Sequence, residues 1–426
     1  MKLTPAKIGL LVVALAGVVT GSWLGISAML TKKRAAVSVQ VPDSGQRERA
    51  PVPTVRFTDV TEKAGIQFRH TNGAFGMKLL PETMGSGVAI LDFDNDGKPD
   101  ILFVNSRPWP GDKSSEPVPT MKLYRNKGDG TFEDVTEKMG LAIPLYGMGV
   151  TLGDFNNDGW TDIYITAIGG NKLFRNDGGK RFVDVTEEAG VGDGGLWPNI
   201  SREEFLKLDK PMPWPTAATF VDYDGDGKLD LFVCRYVTWS PAYDLANDFQ
   251  LKDAGRAYGP PTAFEGTQCT LYRNIDGKHF EDVSEKVGLR VVDREGVNAK
   301  ARNVAKSLGL IICDPDQSGW PSLMVANDTE RNFFFHNVPT PYGERRFQEI
   351  GLRSGVSYAE SRARGGMGID WGEFRPGQWS VVIANFANEP CTFLTQDKAQ
   401  GLGFSDSAFA VGLTGPTRGP LKFGTF

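Results

Sequence analysis

Histidine and cysteine are scarce in this chain: three and four residues, respectively, in 426. It has no Gly-x-Ser-x-Gly elbow, no glycine-rich phosphate loop and no Cys–His pair at a suggestive spacing. These absences argue against the commonest nucleophilic and phosphate-handling chemistries. An excess of positive charge is missing as well. The 47 Lys and Arg are outnumbered by 52 Asp and Glu, giving a net charge of −5 and a pI near 5.5. Nucleic acid and anionic membrane surfaces are therefore poor partners. Long apolar runs are confined to the N-terminus, where Ile8 to Leu30 carries no charge.

The acids that are present are patterned. Asp92-Phe-Asp94-Asn-Asp96-Gly97-Lys-Pro-Asp100 returns as Asp154-Phe-Asn156-Asn-Asp158-Gly159-Trp-Thr-Asp162. It returns again as Asp222-Tyr-Asp224-Gly-Asp226-Gly227-Lys-Leu-Asp230. Side-chain oxygens at positions 1, 3, 5 and 9 of a tight loop suit a hard cation, and the glycine at position 6 permits the turn. Backbone carbonyls at position 7 (Lys98, Trp160 and Lys228) are further candidate ligands. An EF-hand would need a bidentate Glu at position 12, where this chain has Phe103, Ile165 and Val233. Three calcium sites are expected, the alternative being acidic turns that hold no metal.

Short β-rich apolar runs flank each loop and read as hairpin strands: Val88–Leu91 with Ile101–Val104, Val150–Leu152 with Ile163–Thr166, and Thr219–Val221 with Leu231–Cys234. A third strand follows each pair, at Leu123–Asn126, Leu173–Asn176 and Leu271–Asn274. Fourth strands then begin at Phe132, Phe182 and Phe280. A weaker copy keeps Asp314, Asp316 and Ser318 as weak metal candidates. A fifth, with a shortened loop from Glu373 to Ser380 and Arg375 at position 3, is expected to hold no metal. Four-stranded units repeating roughly every 60 to 90 residues predict an all-β fold, a β-propeller of four-stranded antiparallel blades. Five blades are complete. Phe57–Thr61 reads as an orphan fourth strand that closes the ring, and Phe423–Phe426 as the start of a further blade. On this reading the chain is truncated at its C-terminus; the alternative is a natural five-blade protein. Insertions at Ser106–Thr120, Gly192–Pro215 and Trp239–Gln268 are where recognition is expected.

These motifs resemble the FG-GAP/VCBS repeat proteins. Phe57-Thr-Asp-Val-Thr61, Pro81-Glu-Thr-Met-Gly-Ser-Gly87 and Val325-Ala-Asn-Asp-Thr329 look more narrowly like bacterial relatives of cartilage acidic protein, of ASPIC/UnbV type. The resemblance covers about residues 55–426. It implies an integrin-α-like propeller of about seven blades, calcium in the acidic loops and extracytoplasmic placement.

Residues 8–30 are long enough to cross a hydrocarbon core of about 30 Å. Residues 1–34 are read as an uncleaved signal anchor, with a cleaved signal as the alternative, and 35–54 as a polar Pro-containing linker to the propeller domain, 55–426. Cys234 and Cys269 bracket one insertion and could form a disulfide, buried free thiols being the alternative. No catalytic residue is assigned. His279 and His336 sit in or beside repeat strands, and His70 is the least explained of the three. The favoured function is a non-enzymatic binding or adhesion module for a protein or glycan ligand, tied to a membrane by its N-terminal helix. A propeller-based polysaccharide lyase or hydrolase is the alternative.

Overall fold

The computed structural model describes residues 56–424 except 113–116, 196, 254, 295–299 and 398–400. The expected anchor and linker lie outside the described residues. Among the described residues no helix is long and apolar enough to cross a membrane.

Twenty strands form five four-stranded antiparallel sheets, each with its strands in chain order from first to fourth. The first sheet comprises Val88–Leu91, Asp100–Phe103, Lys122–Asn126 and Phe132–Asp134. The second comprises Tyr146–Gly153, Asp162–Ile168, Lys172–Asn176 and Phe182–Asp184. The third is Pro215–Val221, Asp230–Arg235, Thr270–Asn274 and Phe280–Asp282. The fourth is Ser307–Cys313, Ser322–Asn327, Phe333–Pro339 and Arg345–Glu349. The fifth is Gly366–Arg375, Gln378–Asn385, Thr392–Asp397 and Gly403–Asp406. Second strands are continuous apolar runs because sheets cover both of their faces; every residue of Asp162–Ile168 and Ser322–Asn327 is buried. Tyr124, Phe174 and Tyr272, one per third strand, are buried as expected of core between sheets.

The first strands of all five sheets line one cavity of ≈ 480 Å³, to which Val88, Val150, Ala217, Leu308 and Met367 contribute. Small residues let these strands approach closely. A Cβ on Gly149 would lie 2.3 Å from the Thr216 carbonyl oxygen, and one on Gly309 2.7 Å from that of Met367. Adjacent first strands also bond directly, as when Thr216 Oγ1 donates to the Ser307 carbonyl at 2.6 Å.

A second seam joins the sheets. The amide of Asn176, at the end of a third strand, donates to the Phe93 carbonyl in the preceding sheet's acidic loop at 2.8 Å. Asn274 does the same to Phe155 at 2.7 Å, Asn337 to Tyr223 at 2.8 Å and Gln396 to Pro315 at 2.6 Å. Each acceptor is position 2 of an acidic loop. After each fourth strand comes a turn that docks on the next sheet, as when Phe182 N–H donates to the Met139 carbonyl at 2.9 Å.

Three expectations at the margins need correction. Residues 56–60 contain no strand; instead a turn spans 61–65, whose Ala64 carbonyl accepts from Phe132 N–H at 2.8 Å. The motif is thus a sixth copy of the docking turn rather than of the strand. Residues 421–424 contain no strand either, and Phe423 lines the cavity between the first strands. The fifth loop is not a shortened acidic loop. Its strands run through to pair Arg375 with Gln378 around Gly377, whose φ of +68° suits glycine in a tight hairpin.

Asn274 is fully buried and its amide satisfies both the Phe155 and the Leu229 carbonyls. Asn274→Ala would orphan both acceptors and is expected to cost about 2–4 kcal/mol in urea unfolding. A change below about 0.5 kcal/mol, the scale of a neutral surface substitution, would show that the seam does not hold the sheets together.

Candidate metal sites and the insertion face

Because the strands are antiparallel, the loops joining first to second strands all lie at one end of the sheets. The insertions, which join second to third or fourth to first strands, lie at the other. All twelve loop residues named above occupy equivalent places at the first end.

In the first loop the Asp92 carboxylate accepts from the N–H groups of Asp96 and Gly97, at 3.0 and 2.8 Å. Asp154 and Asp222 close their loops in the same way, onto Asp158 and Gly159 and onto Gly225 and Gly227. The position-5 acids Asp96, Asp158 and Asp226 accept from the N–H of Lys98, Trp160 and Lys228, each at 3.0 Å. Position 9 is buried and built into the sheet. Asp100, Asp162 and Asp230 each accept from position 2 of their own loop and from the Asn ending the third strand. Burial is the main cause that pushes Asp162 and Asp230 up to about 7, with neighbouring loop acids adding to it; Asp100 moves in the same direction.

Position 3 carries the strongest sign of a missing partner. Asp94 Oδ1 and Asp224 Oδ1 are buried without a hydrogen-bond partner. Their other oxygens pair with third-strand arginines, Arg125 to Asp94 at 2.5 Å and Arg273 to Asp224 at 2.7 Å. Asp92, Asp94 and Asp100 bring carboxylate oxygens within 4.8 Å of one another, as do Asp222, Asp224 and Asp226. These two oxygen-only donor sets fit a hard divalent cation. The second loop differs. Asn156 turns its amide onto Asp158 at 2.9 Å, and no ion pair joins Arg175 to an acid among the described residues.

In the weak fourth loop Asp314 binds the N–H groups of Ser318 and Gly319. Asp316 lies 3.6 Å from His336. Ser322 stands at position 9 and accepts from Asn337 N–H, so the structural bond survives without the carboxylate.

The insertions do not decorate the other end separately; they pack into one aromatic cluster with residues 75–84. Trp109 is its hub, stacked on Tyr146 at 4.2 Å, Phe205 at 5.2 Å and Trp197 at 5.6 Å. Two buried carboxylates fasten it. Glu82 accepts from Trp109 Nε1 and Tyr258 Oη, and Asp244 from Trp239 Nε1, Leu80 N–H and Arg256. Both carboxylates are buried, and Glu82 also borders a cavity lined by Arg69, His70 and Asn72.

Cys234 and Cys269 are free thiols, which corrects the disulfide expectation. They face each other on paired strands inside the third sheet's core, and Cys269 Sγ lies 3.4 Å from Ser307 Oγ. His70 bonds Ser86 Oγ at 3.0 Å, and that hydroxyl donates to the Gly147 carbonyl, so His70 braces strand contacts. His279 pairs with exposed Asp276 at 2.8 Å.

Comparison with known proteins places FG-GAP-like repeats at residues 92–165 and 154–233, which span the three intact acidic loops. Cartilage acidic protein 1 of Xenopus tropicalis is 36% identical over 94 residues, covering 22% of this chain. The match spans only 13% of that relative's length. Among solved structures, an Agrocybe aegerita lectin described as recognising non-reducing terminal N-acetylglucosamine shows 15% identity and a TM-score of 0.29. It aligns over 76% of this chain and 79% of its own. An endo-arabinase from Bacteroides thetaiotaomicron shows 11% identity and a TM-score of 0.26, over 74% and 92%. Superpositions this loose transfer neither fold nor activity. The conclusion they leave standing is that this is a β-rich chain carrying FG-GAP-like repeats.

Sequence reasoning missed the amide seam, although an Asn follows Leu-x-Arg in each intact repeat and was legible as a motif. It also missed Asp328, the acid of the Val325–Thr329 motif. This side chain is buried, accepts from Tyr236 Oη, and is pushed up to about 6 chiefly by burial. A folded pKa raised above 3.8 means its protonated form favours the fold. That contribution is full below about pH 4 and is lost as pH rises through about 6. Asp328→Asn should therefore remove a pH-dependent penalty of roughly 2–3 kcal/mol at pH 8 while leaving stability at pH 4 nearly unchanged. Equal effects at both pH values in denaturant titrations would refute this account.

Proposed function

We propose that the chain is a calcium-stabilised β-propeller acting outside the cytoplasm as a non-enzymatic binding module for a protein or glycan ligand. The five sheets, with their first strands around one cavity and their third strands riveted to the preceding loop, support a propeller of radially arranged blades. The carrying observation is the pair of buried, unpartnered oxygens of Asp94 and Asp224 inside repeated acidic loops. A divalent cation would satisfy them and neutralise carboxylates that burial disfavours.

Extracellular calcium modules work at about 10⁻⁴ to 10⁻³ M, which favours periplasmic or external placement with residues 8–30 as the anchor. The insertion end is the recognition face in this proposal, since it alone departs from the repeat. A catalytic role draws no support from the acids. Those of the loops recur in every intact repeat, and Glu82 and Asp244 are held by donors that fasten the insertions.

Thermal unfolding with millimolar calcium, with magnesium and with chelator tests the proposal. Each filled site adds about 1.4 kcal/mol at ten times its Kd. Calcium should raise the melting temperature more than magnesium does. Asp94→Ala and Asp224→Ala should each erode that gain, while Asp316→Ala leaves most of it. A cooperative melt indifferent to calcium would return the loops to plain acidic turns.

A further inference from the structure

At the insertion end, between the first two sheets, lies a cavity of ≈ 620 Å³. This is within the usual range of small-ligand pockets, about 300–1,000 Å³. Arg107, the second residue of the first insertion, lines it. The guanidinium lies over the Trp197 ring, 4.9 Å from its centroid. Its Nε is buried and has no hydrogen-bond partner. No acid pairs with Arg107 among the described residues, whereas Arg235, Arg256, Arg302, Arg331 and Arg364 at the same end have carboxylate partners; Arg202 has none among them and lies over the Phe75 ring. Burial is the sole cause acting on Arg107, and it disfavours the charged form. A guanidinium cannot lose its proton under ordinary conditions, so an uncompensated one in a concave site calls for an anion.

The other charges in the cavity do not supply that anion. Asp193 is held by Arg235, whose Nη1 donates to it at 2.6 Å. Lys172 is held by Asp184 at 2.7 Å, and Glu187 is exposed at the rim. The rest of the lining offers neutral polar groups and a small apolar surface. Asn171 is buried, its Oδ1 accepting from the Ala167 N–H at 3.1 Å and its amide beside the Tyr164 hydroxyl. Gly169 and Gly170 have φ values of +84° and +132°, and the Gly170 N–H donates to the Ala167 carbonyl at 3.2 Å. Ile143 and Ile168 supply the apolar part.

We infer that this cavity binds a small carboxylic acid, its carboxylate held edge-on by Arg107 and its body lying toward Ile143 and Ile168. Stacking on Trp197 fixes the guanidinium plane and leaves an N–H edge for two parallel bonds to a carboxylate. The apolar lining from Ile143 and Ile168 suits an organic carboxylate better than a bare inorganic anion. The inference goes beyond the reading of the chain as a module for a protein or glycan, adding a small-ligand site.

Calorimetric titration of the calcium-loaded protein with benzoate and hexanoate tests it, against their methyl esters, inorganic phosphate and an acidic peptide. The free carboxylates should bind, and esterification should weaken binding by about tenfold or more, the scale of a lost charge-assisted pair. Arg107→Gln should cause the same loss with an unchanged melting temperature, and Arg107→Lys an intermediate one. Carboxylate binding unaffected by Arg107→Gln would overturn the site while leaving the binding-module reading intact. Binding of phosphate or the acidic peptide but not the small carboxylates, dependent on Arg107, would overturn the ligand class. Absence of binding by every probe would overturn the inference.

Discussion

The bond from a third-strand amide to the carbonyl of the preceding acidic loop is the constraint on which the rest of the structure depends. Asn176, Asn274, Asn337 and Gln396 make it in turn, so each sheet is hung on the loop of the one before. Asn176 and Asn274 also place their backbone N–H on the position-9 carboxylates Asp162 and Asp230, at 2.7 and 2.8 Å. One residue therefore ties a loop's own sheet to its neighbour's loop. Lateral bonds reinforce the belt: Asn95 donates to the Gly159 carbonyl and Asn157 to that of Gly227. A cation bound in any loop would act on two sheets at once, which gives calcium a route to global stability rather than to local ordering alone.

The two ends of the sheets then divide the labour. At the loop end every feature repeats, and repetition is what a scaffold needs, because each interface must solve the same packing problem. At the insertion end the symmetry is broken by three segments of different length that share one aromatic core around Trp109. Buried Glu82 and Asp244 give that core a fixed geometry, since indole and phenol donors and a backbone N–H converge on two carboxylates. A rigid, non-repeating surface on a repeating base is a sound platform for recognition.

Much of the fold was legible because its signals are local. Acidic nonapeptides, alternating apolar runs and the recurring Leu-x-Arg-Asn placed all five sheets and most strand boundaries within two or three residues. The misses share a physical cause: they concern what a segment touches, which local pattern does not encode. Phe57–Thr61 matches the fourth-strand motif in sequence, yet strand structure requires a third strand beside it; only the docking turn that follows found its partner, in Phe132. The Glu373–Ser380 loop carries acid and glycine in nearly the right order. Pro376 and Gly377 make a tight turn cheaper than a metal loop. Cys234 and Cys269 were placed as neighbours correctly, but adjacency does not impose a bond. The convergence of three distant insertions on one tryptophan had no signal in the linear pattern at all.

Charge explains why the three intact loops are not equivalent. In the first and third, four carboxylates are met by two cations, Lys98 with Arg125 and Lys228 with Arg273. With all four ionised, as a bound cation would favour, two negative charges remain in each, the complement of one divalent cation. The second loop replaces Asp by Asn156 at position 3 and Lys by Trp160 at position 7. It keeps three carboxylates and bonds no cation among the described residues. Arg175 is kept in the second repeat, but with Asn156 at position 3 it has no carboxylate there to hold. The arginine pairing in the other two loops also accounts for the orphaned oxygens. An arginine that grips Oδ2 of Asp94 or Asp224 from the sheet side leaves Oδ1 turned into the loop, where only a ligand from outside the chain can reach it.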